Sequence, residues 1–509
     1  MDVTVRQGGI QSEAADAIIV NLFKGVIEPA GATGVVDKAL NGAISELVAG
    51  GDLTGKLGQT VVLYPRGAIP ARRVVVVGLG VAEEINLEAV REASAKAILA
   101  ARQVGAKSVA TIVHGGGIGG LNVTEAAQAT VEGSLLALYK YDAPRANKDE
   151  DETSEVESLT LVEFDTAKLA QIEMGIHAGQ AIAESVTLAR NLVNQPSNVA
   201  TPSAIAEVAQ SMCAQYGLSC QILDESQMKE QQMGLLLAVT QGAAQPAKFI
   251  VMEHRPKDAA ESGPIVLVGK GVAFDTGGYT LKSSSSMVGM KGDMGGAAAV
   301  IGAMQAVARL SVPQYVVGLV PTVENVVSGT AYKPNDVFTA KNGVTVEIIS
   351  TDAEGRLILA DALCYADTLT PAAVIDIATL TGGKVVALGN RTNALFVNDQ
   401  GLSLGEKLMT AGHNVGEPLW LLPLSADYDR QLKSNVADLK NTGGRNASAV
   451  TAARFLAHFT GDWPWAHLDI AGSELYQNDA DDTARSYLTP GASGIPLRTL
   501  VEALRHWGE

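Results

Sequence analysis

Cysteine is scarce in this chain, which has three cysteines among 509 residues, at positions 213, 220 and 364. Folds that depend on disulfides, and zinc sites built from thiolates, need cysteines that are more numerous and more closely spaced. The scarcity therefore excludes a disulfide framework and a thiolate zinc site. It fits the reducing cytoplasm, and we expect a cytoplasmic location.

Long apolar stretches and an excess of positive charge are absent as well. The most apolar run, at 74–82, is far shorter than the roughly 20 residues of a membrane-spanning helix, and it predicts a buried strand. The start, MDVTVRQGG, shows no basic segment followed by an apolar one, so we expect no secretory signal. The net charge of −17 opposes attraction to anionic membranes and to nucleic acid. We expect no membrane partner, and a nucleic-acid partner is disfavoured, although a local basic patch could still exist.

Familiar catalytic signatures are also missing. None of the seven histidines forms an HExxH pattern, and no GxSxG elbow is present, so neither a histidine-based zinc protease nor a serine hydrolase is indicated. The tract GGGIGG at 115–120 departs from the GxGxxG spacing and is interpreted as a generic glycine-rich loop. His467, in the apolar strand WAHLDIAG, is interpreted as a core histidine whose hydrogen bonds are satisfied.

Strand-like and helix-like segments alternate in both parts of the chain. In the first part, RRVVVVGLG is a β-branched run, and NLEAVREASAKAILAARQVGA has helical periodicity. In the second part, PIVLVGK and AVIDIAT predict strands, and GRLILADALCYADTL predicts a helix between strands. This alternation predicts an α/β protein of two domains. Each domain would be a mixed or mostly parallel sheet flanked by helices, and the larger C-terminal one would be catalytic.

The sharpest change in composition is the acidic run NKDEDETSEVE at 147–157, which predicts a solvated loop. One strand and a long helix follow it. We therefore place an N-terminal α/β domain at 1–165, a connecting helix at 166–193 and the C-terminal catalytic domain at 194–509.

Charged residues gather in two glycine-rich segments of the second part, 268–296 and 350–356. Four carboxylates and two lysines lie there among glycines and apolar residues. They are Asp275, Asp293, Asp352, Glu354, Lys270 and Lys282. Burial of several like charges is prohibitive unless cations neutralise them. Two divalent metal ions would balance the four carboxylates, and ligands of oxygen and nitrogen fit zinc, manganese or magnesium.

Each of these residues also has an ordinary interpretation. Lys270 could form an ion pair with Asp275 at the edge of the core, Asp293 could cap the helix that follows it, and TDAEGR could be a turn. Taken singly, these alternatives stay open, whereas the two segments together favour a metal site. Arg356 lies in the first turn of a predicted helix, where a guanidinium and backbone amides could bind an anion.

Six segments, in order along the chain, resemble the leucyl aminopeptidase family, the cytosolic two-metal exopeptidases. They are ARNLVNQPSNVATP at 189–202, VGKGVAFDTGG at 268–278, MKGDMGGAAAV at 290–300, TDAEGRL at 351–357, DIATLTGG at 376–383 and WAHLDIAG at 465–472. The first 165 residues resemble the family's N-terminal domain only loosely. The resemblance implies a metal-dependent aminopeptidase that removes leucine and other N-terminal residues from peptides. The reaction would use a hydroxide held by two metal ions.

The resemblance also implies a role for each site residue. The metal ligands would be Lys270, Asp275, Asp293, Asp352 and Glu354, with Asp275 and Glu354 bridging the two ions. Lys282 and Arg356 would be catalytic, with a bicarbonate ion at Arg356 as general base. The residues implied in substrate binding are Met290, Thr379 and Ala471 around the N-terminal side chain, and Leu380 and Gly382 through their backbones. Family members are typically homohexamers, so the same assembly is expected here.

Three positions depart from the family pattern. Ser350 stands where asparagine is usual, Ser283 stands where a proline commonly follows the catalytic lysine, and Glu474 stands where an apolar or small residue is more usual. Glu474 favours the hypothesis that basic N-terminal residues are accepted. Two rival functions stay open: a DNA-binding regulator, which the acidic balance disfavours, and a catalytically silent homologue, which the complete set of motif residues disfavours.

Overall fold

Sheets flanked by helices make up both parts of the chain in the computed structural model, which describes residues 1–144, 155–257, 259, 263–476 and 485–508. The chain divides into one unit, Met1–Glu184 with Asn478–Thr489, and a second, Ser185–Gln477 with Pro490–Glu509. The predicted fold class, two α/β domains, is confirmed. Most of the acidic run predicted to be a solvated loop lies outside the described residues.

The first unit contains a six-stranded sheet in the order β1-β6-β5-β2-β4-β3. All neighbours are parallel except β3 and β4, which are antiparallel. The strands are β1 Asp2–Gln7, β2 Ala17–Leu22, β3 Thr60–Leu63, β4 Val74–Gly78, β5 Ser108–Thr111 and β6 Ser158–Glu163. The helices are α1 Gly31–Ala39, α2 Ala43–Gly50, α3 Leu87–Gln103, α4 Val123–Leu138 and α5 Leu169–Asn194.

Buried apolar strands and capped helices explain this arrangement. β4 is the predicted strand within 74–82, and all five of its residues are buried, as expected for a parallel strand covered on both faces. Asn86 caps α3, where its side chain accepts a hydrogen bond from the N–H of Ala89. The border between the two units falls at Ser185, within α5. The domain boundary at 165 and the connecting helix at 166–193 stay predictions.

The second unit contains a nine-stranded mixed sheet in the order β16-β15-β18-β14-β9-β11-β8-β7, with β10 paired to β11. Its strands are β7 Ser219–Leu223, β8 Lys248–His254, β9 Ile265–Gly269, β10 Gly271–Asp275, β11 Val316–Asn325, β14 Ala373–Ala378, β15 Asn393–Val397, β16 Leu419–Leu421 and β18 Trp465–Asp469. Smaller sheets contain β12 Val337–Thr339, β13 Thr345–Glu347 and β17 Leu439–Lys440, and β19 Leu475–Tyr476 with β20 Gly491–Ala492. The helices are α6 Pro202–Tyr216, α7 Glu225–Glu230, α8 Gly234–Thr240, α9 Ser284–Met287, α10 Gly295–Arg309, α11 Gly355–Asp367, α12 Gly382–Leu388, α13 Leu402–Asn414, α14 Ser448–Ala457 and α15 Leu497–Arg505.

Four adjacent parallel strands, β18, β14, β9 and β11, form the centre of this sheet. Helix α10 packs closely on these strands because its first two residues, Gly295 and Gly296, have no side chains. A Cβ on Gly296 would lie 2.1 Å from the carbonyl oxygen of Ile377 in β14, and a Cβ on Gly269 would lie 2.5 Å from the carbonyl oxygen of Gly296. Any larger residue at either position would push the helix away from the sheet. The start of α10 is thereby held against the ends of β9 and β14.

Candidate active site

Several polar side chains of the second unit lie at the carboxyl ends of neighbouring parallel strands. Lys270 follows β9, Asp275 ends β10, Asn325 ends β11, Thr379 follows β14, and Asp469 ends β18. Open α/β sheets bind their ligands at this edge. The sheet therefore brings together side chains that are far apart in the sequence.

One half of the cluster is organised around the Lys270 ammonium group. Its Nζ lies 2.8 Å from Oδ1 of Asp293 and 3.0 Å from Oε1 of Glu354. It also donates a hydrogen bond of 2.9 Å to the carbonyl oxygen of Thr379. The hydroxyl of Thr379 donates to Oδ1 of Asp293 at 2.7 Å. Asp293 lies in the 3-10 helix Met290–Met294, just before α10, whereas Glu354 immediately precedes α11.

The other half is organised around Lys282. Its Nζ lies 2.8 Å from Oδ2 of Asp275 and 2.5 Å from Oδ1 of Asp352. Asp275 Oδ1 accepts hydrogen bonds of 2.8 Å from the N–H of Gly277 and from the amide of Asn325. Asp352 is the more exposed carboxylate, since 37% of its side chain is accessible, against 3% for Asp275. Each lysine thus joins two of the four carboxylates.

Three of the carboxylates are close enough to bind one metal centre. Asp275, Asp293 and Glu354 are buried, and each offers an oxygen within 4.8 Å of the others. Oδ2 of Asp293 is buried and has no hydrogen-bond partner among the described residues. A buried carboxylate oxygen without a donor is costly unless a cation approaches it. The donor set therefore fits divalent metal ions.

The electrostatics of the cluster follow from burial and mutual charge. Burial, and next the charge of Glu354, raise the pKa of Asp275 to about 6. Burial raises the pKa of Asp293 well above its ordinary value, despite the attraction of Lys270. Burial alone would raise the pKa of Glu354, but Lys270 and Lys282 hold it below its ordinary value. Burial would lower the pKa of both lysines, yet the surrounding carboxylates raise it, so both are ammonium groups.

Arg356 lies in the first turn of α11 and is buried. Its Nη1 donates a hydrogen bond of 2.9 Å to the carbonyl oxygen of Asn441, whereas its Nε has no partner among the described residues. Burial lowers the pKa of Arg356 to about 10, although the carboxylates of Glu354, Asp469 and Asp352 oppose this shift. The guanidinium thus remains charged at neutral pH and keeps a donor that an anion could use.

The residues expected to contact substrate lie on segments joined to this cluster. Asp469 fixes two of these segments, because its Oδ1 accepts hydrogen bonds from the N–H of Leu380 at 3.1 Å and of Ala471 at 3.2 Å. Gly382 begins α12 and is exposed, and Met290 begins the 3-10 helix that contains Asp293. The structure places Met290 and Gly382 near the carboxylates only through the segments that carry them.

Glu474 lies against the same 3-10 helix and the start of α10. A Cβ on Gly292 would lie 3.4 Å from Glu474 Cγ, and a Cβ on Gly295 would lie 3.6 Å both from Glu474 Cγ and from Thr379 Cγ2. Oε2 of Glu474 is buried and has no partner among the described residues, and burial raises the pKa of this carboxyl to about 7. Glu474 is therefore a neighbour of Thr379, one of the expected pocket residues.

Sequence reasoning missed the amides that hold the loops of the site. The side chain of Asn325 donates to Asp275 and, at 2.9 Å, to the carbonyl oxygen of Thr351. The side chain of Asn441 accepts from the N–H groups of Ile349 and Ser350, and donates to the carbonyl oxygen of Ser350 at 2.6 Å. Asn325 could have been identified from the sequence, because it is the polar residue that ends the apolar run YVVGLVPTVEN. No comparable signal marks Asn441.

His467 is buried, as predicted, but only one of its ring nitrogens is satisfied. Nδ1 pairs with the carboxylate of Asp376 at 2.5 Å, and this carboxylate also accepts from Nε1 of Trp465 at 2.7 Å. Nε2 of His467 is buried without a partner among the described residues. The interpretation of a fully satisfied core histidine was therefore wrong for this nitrogen.

Family models identify both parts of the chain. The model described as "Cytosol aminopeptidase family, catalytic domain" matches residues 187–501, and that described as "Cytosol aminopeptidase family, N-terminal domain" matches residues 19–148. The chain belongs to the cytosol aminopeptidase family. The resemblance found in the six sequence segments is confirmed, and with it the assignment to a peptidase, a hydrolase.

Relatives from this family cover nearly the whole chain. A probable cytosol aminopeptidase of Syntrophotalea carbinolica is 43% identical over 470 residues, which are 92% of this chain and 93% of the relative. A probable cytosol aminopeptidase of Roseiflexus castenholzii is 39% identical over 507 residues, covering 100% of this chain and 99% of the relative. The family membership makes the protein a metal-dependent aminopeptidase.

Two solved structures are similar over almost their full length. The bottromycin maturation enzyme BotP in complex with Mn is 33% identical, with a TM-score of 0.85, over 97% of this chain and 100% of that one. A mutant of tomato leucine aminopeptidase is 32% identical, with a TM-score of 0.86, over 99% of this chain and 96% of that one. Among the helices in the described part of the chain, none is both long and apolar enough to cross a membrane.

Proposed function

We propose that this aminopeptidase removes N-terminal amino acids from peptides at a dinuclear metal centre located at the carboxyl ends of β9, β10 and β14. The observation that carries the proposal is the convergence of Asp275, Asp293 and Glu354, whose oxygens lie within 4.8 Å of one another in a buried site. Two ammonium groups accompany four carboxylates, so the side chains alone leave an excess of negative charge. Divalent ions would remove that excess.

The metal ligands would be Lys270, Asp275, Asp293, Asp352 and Glu354, of which Asp275 and Glu354 would bridge the ions. Lys270 would have to lose a proton to bind a metal, because only the neutral amine has a free electron pair. The set is mostly oxygen, which suits manganese and magnesium as well as zinc. BotP was solved with Mn, which supports manganese for this chain also. Two such ions, when bound, would supply Lewis-acid activation of a water molecule and of the scissile carbonyl.

Lys282 is proposed to stabilise the negative charge that develops on the substrate carbonyl oxygen. Its Nζ lies between Asp275 and Asp352, which are two of the five proposed ligands. The surrounding carboxylates raise its pKa, so the ammonium group keeps its protons and can donate them in hydrogen bonds. A donor fixed in a water-excluded site stabilises such charge without reorganising during the reaction.

Arg356 is proposed to hold a bicarbonate ion. Its Nη1 is tied to Asn441, and its Nε has no partner among the described residues, so the guanidinium is anchored on one side and open on the other. A planar carbonate-type anion matches the fork of donors of arginine. The anion, when bound, would supply the general base.

The substrate's N-terminal side chain would be received by Met290, Thr379 and Ala471, with backbone contacts from Leu380 and Gly382. Glu474, beside Thr379, would give this pocket an acidic wall. We therefore propose that arginyl and lysyl N-termini are accepted together with leucyl ones. Homohexamer formation and a cytoplasmic location are also proposed, from the family resemblance.

Release of amino acids from a panel of peptides tests the function. The metal-loaded protein should release N-terminal residues one after another, and the same peptides with an acetylated N-terminus should be left intact. Glu354→Gln should abolish release. Cleavage inside the chain, or equal cleavage of acetylated and free peptides, would refute the proposal.

A further inference from the structure

A second concave site lies in the first unit and has no part in the proposed peptidase reaction. It is a cavity of about 560 Å³. Its walls include the residues that follow four parallel strands: Gly8 after β1, Phe23 after β2, Ile112 after β5 and Phe164 after β6. Small-molecule sites typically have volumes of about 300–1,000 Å³, and in parallel sheets they lie at the carboxyl ends of the strands. The size and the position both match a ligand site.

Helix α1 begins at the wall of this cavity, and its first N–H groups have no acceptor within the described part of the chain. Its N-cap residue is Ala30, which offers no side-chain acceptor, and no acidic residue lies in its first turn. The first backbone hydrogen bond of the helix is from Gly34 to Ala30, so the N–H groups of residues 31–33 have no acceptor among the described residues. The lining of the cavity includes all three of these residues. Such a helix start favours an anion.

The glycine-rich loop that follows β5 supplies a second set of free amides. Residues 115–119 line the cavity. The N–H groups of residues 116–119 have no acceptor within the described part of the chain, whereas those of Gly120 and Leu121 bond back to the loop. The path needs glycine, because Gly115 has a φ of +78° and a Cβ on Gly119 would lie 2.8 Å from the carbonyl oxygen of Gly115. Two separate groups of such amides therefore belong to residues that line one cavity.

The rest of the lining is largely apolar, and three large side chains around it are exposed. Phe164 is 79% exposed, Ile118 is 72% exposed, and Val35 is 47% exposed. The exposed ring of Phe164 at the cavity offers a face on which a planar ring can stack. Asn21, which also lines the cavity, is held by a hydrogen bond of 2.9 Å between its amide nitrogen and Nδ1 of His114.

We propose that this cavity binds a nucleoside diphosphate. The two groups of free amides, at the start of α1 and in the loop 115–119, would each receive one phosphate. The base would stack on Phe164 and contact Ile118. Among the charged lining residues, Lys168 balances Glu163, so the amides supply the attraction for the anion. The GGGIGG tract, whose spacing predicts only a generic glycine-rich loop, would then be a phosphate-binding loop. The proposal does not depend on the peptidase mechanism, since every lining residue belongs to the first unit.

Calorimetric titration of the full chain with ADP, adenosine and inorganic diphosphate tests the site. ADP should show saturable binding and should bind more tightly than adenosine or inorganic diphosphate. Gly117→Asp should weaken ADP binding at least tenfold, because a carboxylate would face the phosphates, and nothing lies within 4 Å of a Cβ at Gly117 to disturb the fold. Phe164→Ala should weaken the binding of ADP but not of diphosphate.

Two controls separate this site from the metal centre. One control is Val436→Ala, which truncates an apolar side chain of the second unit that is 66% exposed. The other is Glu354→Gln, at the metal centre. Both variants should bind ADP like the parent. Peptidase activity should be the same in Gly117→Asp and in the parent protein. The proposal is overturned if ADP shows no saturable binding at millimolar concentration or if Gly117→Asp binds it as well as the parent. It is also overturned if diphosphate binds as tightly as ADP and Phe164→Ala has no effect.

Discussion

Replacement of Asn325 by leucine should weaken metal binding without removing a metal ligand. Asn325 is fully buried at the end of β11, and its side-chain amide donates to Asp275 at 2.8 Å and to the carbonyl oxygen of Thr351 at 2.9 Å. Leucine has nearly the same shape and donates nothing. The substitution therefore tests whether a neighbour that orients a proposed ligand contributes to the affinity of the centre.

The expected magnitude follows from what remains after the substitution. Oδ1 of Asp275 would keep the N–H of Gly277, and the carbonyl oxygen of Thr351 would keep the hydroxyl of Tyr332 at 2.8 Å. Each acceptor therefore keeps one hydrogen-bond donor, so the free energy of unfolding should fall by only about 1–3 kcal/mol. Loss of a residue that orients a metal ligand typically costs about 10- to 100-fold in metal affinity, or about 1.4–2.7 kcal/mol.

The assay is competition for Mn²⁺ or Zn²⁺ between the protein and a chromogenic chelator. Hydrolysis of leucyl p-nitroanilide should be followed over the same metal concentrations. Asn325→Leu should need about 10- to 100-fold more metal for half-maximal activity and should recover much of its turnover at saturation.

Asn393→Leu is a matched control. Asn393 is also a fully buried asparagine in the same sheet, but its side-chain amide has no partner among the described residues. The Asn393→Leu variant should bind metal with the same affinity as the parent. Equal metal affinity in Asn325→Leu and the parent would refute the reasoning, and so would equal weakening in both variants.

Three further predictions concern other residues. Lys282→Met should lower kcat by about 100- to 1,000-fold while the metal content measured by plasma mass spectrometry is unchanged; loss of metal would make Lys282 a structural residue. Glu474→Met should lower the ratio of kcat/KM for arginyl over leucyl p-nitroanilide by roughly tenfold, equivalent to about 1.4 kcal/mol, and an unchanged ratio would remove Glu474 from the pocket. Burial lowers the pKa of His114 to about 4, below its value in the unfolded chain, so the unfolded state binds more protons between these two values. The parent's stability should therefore be complete above about pH 6.5 and fall by up to roughly 3 kcal/mol as the pH drops toward 4, and denaturant titrations of His114→Asn should show a smaller loss.

The fold class and the core of the site could be predicted because their signals are local. Lys270 and Asp275 follow apolar runs that only buried strands explain, and the ends of parallel strands meet at one edge of a sheet. The charges of Asp293 and Glu354 in glycine-rich surroundings then indicated a shared cation. The structure brings these residues together, while their roles as ligands stay predictions.

The supporting contacts could not be predicted because they join distant segments. Asn325 bonds to Asp275 across 50 positions, and Asn441 bonds to Ser350 across 91. An asparagine looks the same in the sequence whether or not it meets such a partner. The cavity of the first unit could not be predicted either, nor could the ring nitrogen of His467 that lacks a partner among the described residues. Both depend on how strands pair and not on any short motif.

If cations make the buried carboxylate cluster stable, the purified protein must bind them. The decisive measurement is therefore the number of metal ions bound per chain. The protein should be loaded with Mn²⁺ or Zn²⁺, desalted and analysed by plasma mass spectrometry, together with Asp275→Asn. The control is Glu324→Gln, because Glu324 is a partly buried carboxylate of β11 outside the cluster. We predict two ions per chain in the parent and in the control, and loss of metal in Asp275→Asn. A parent protein that holds no ion, or three proteins with the same metal content, would contradict it.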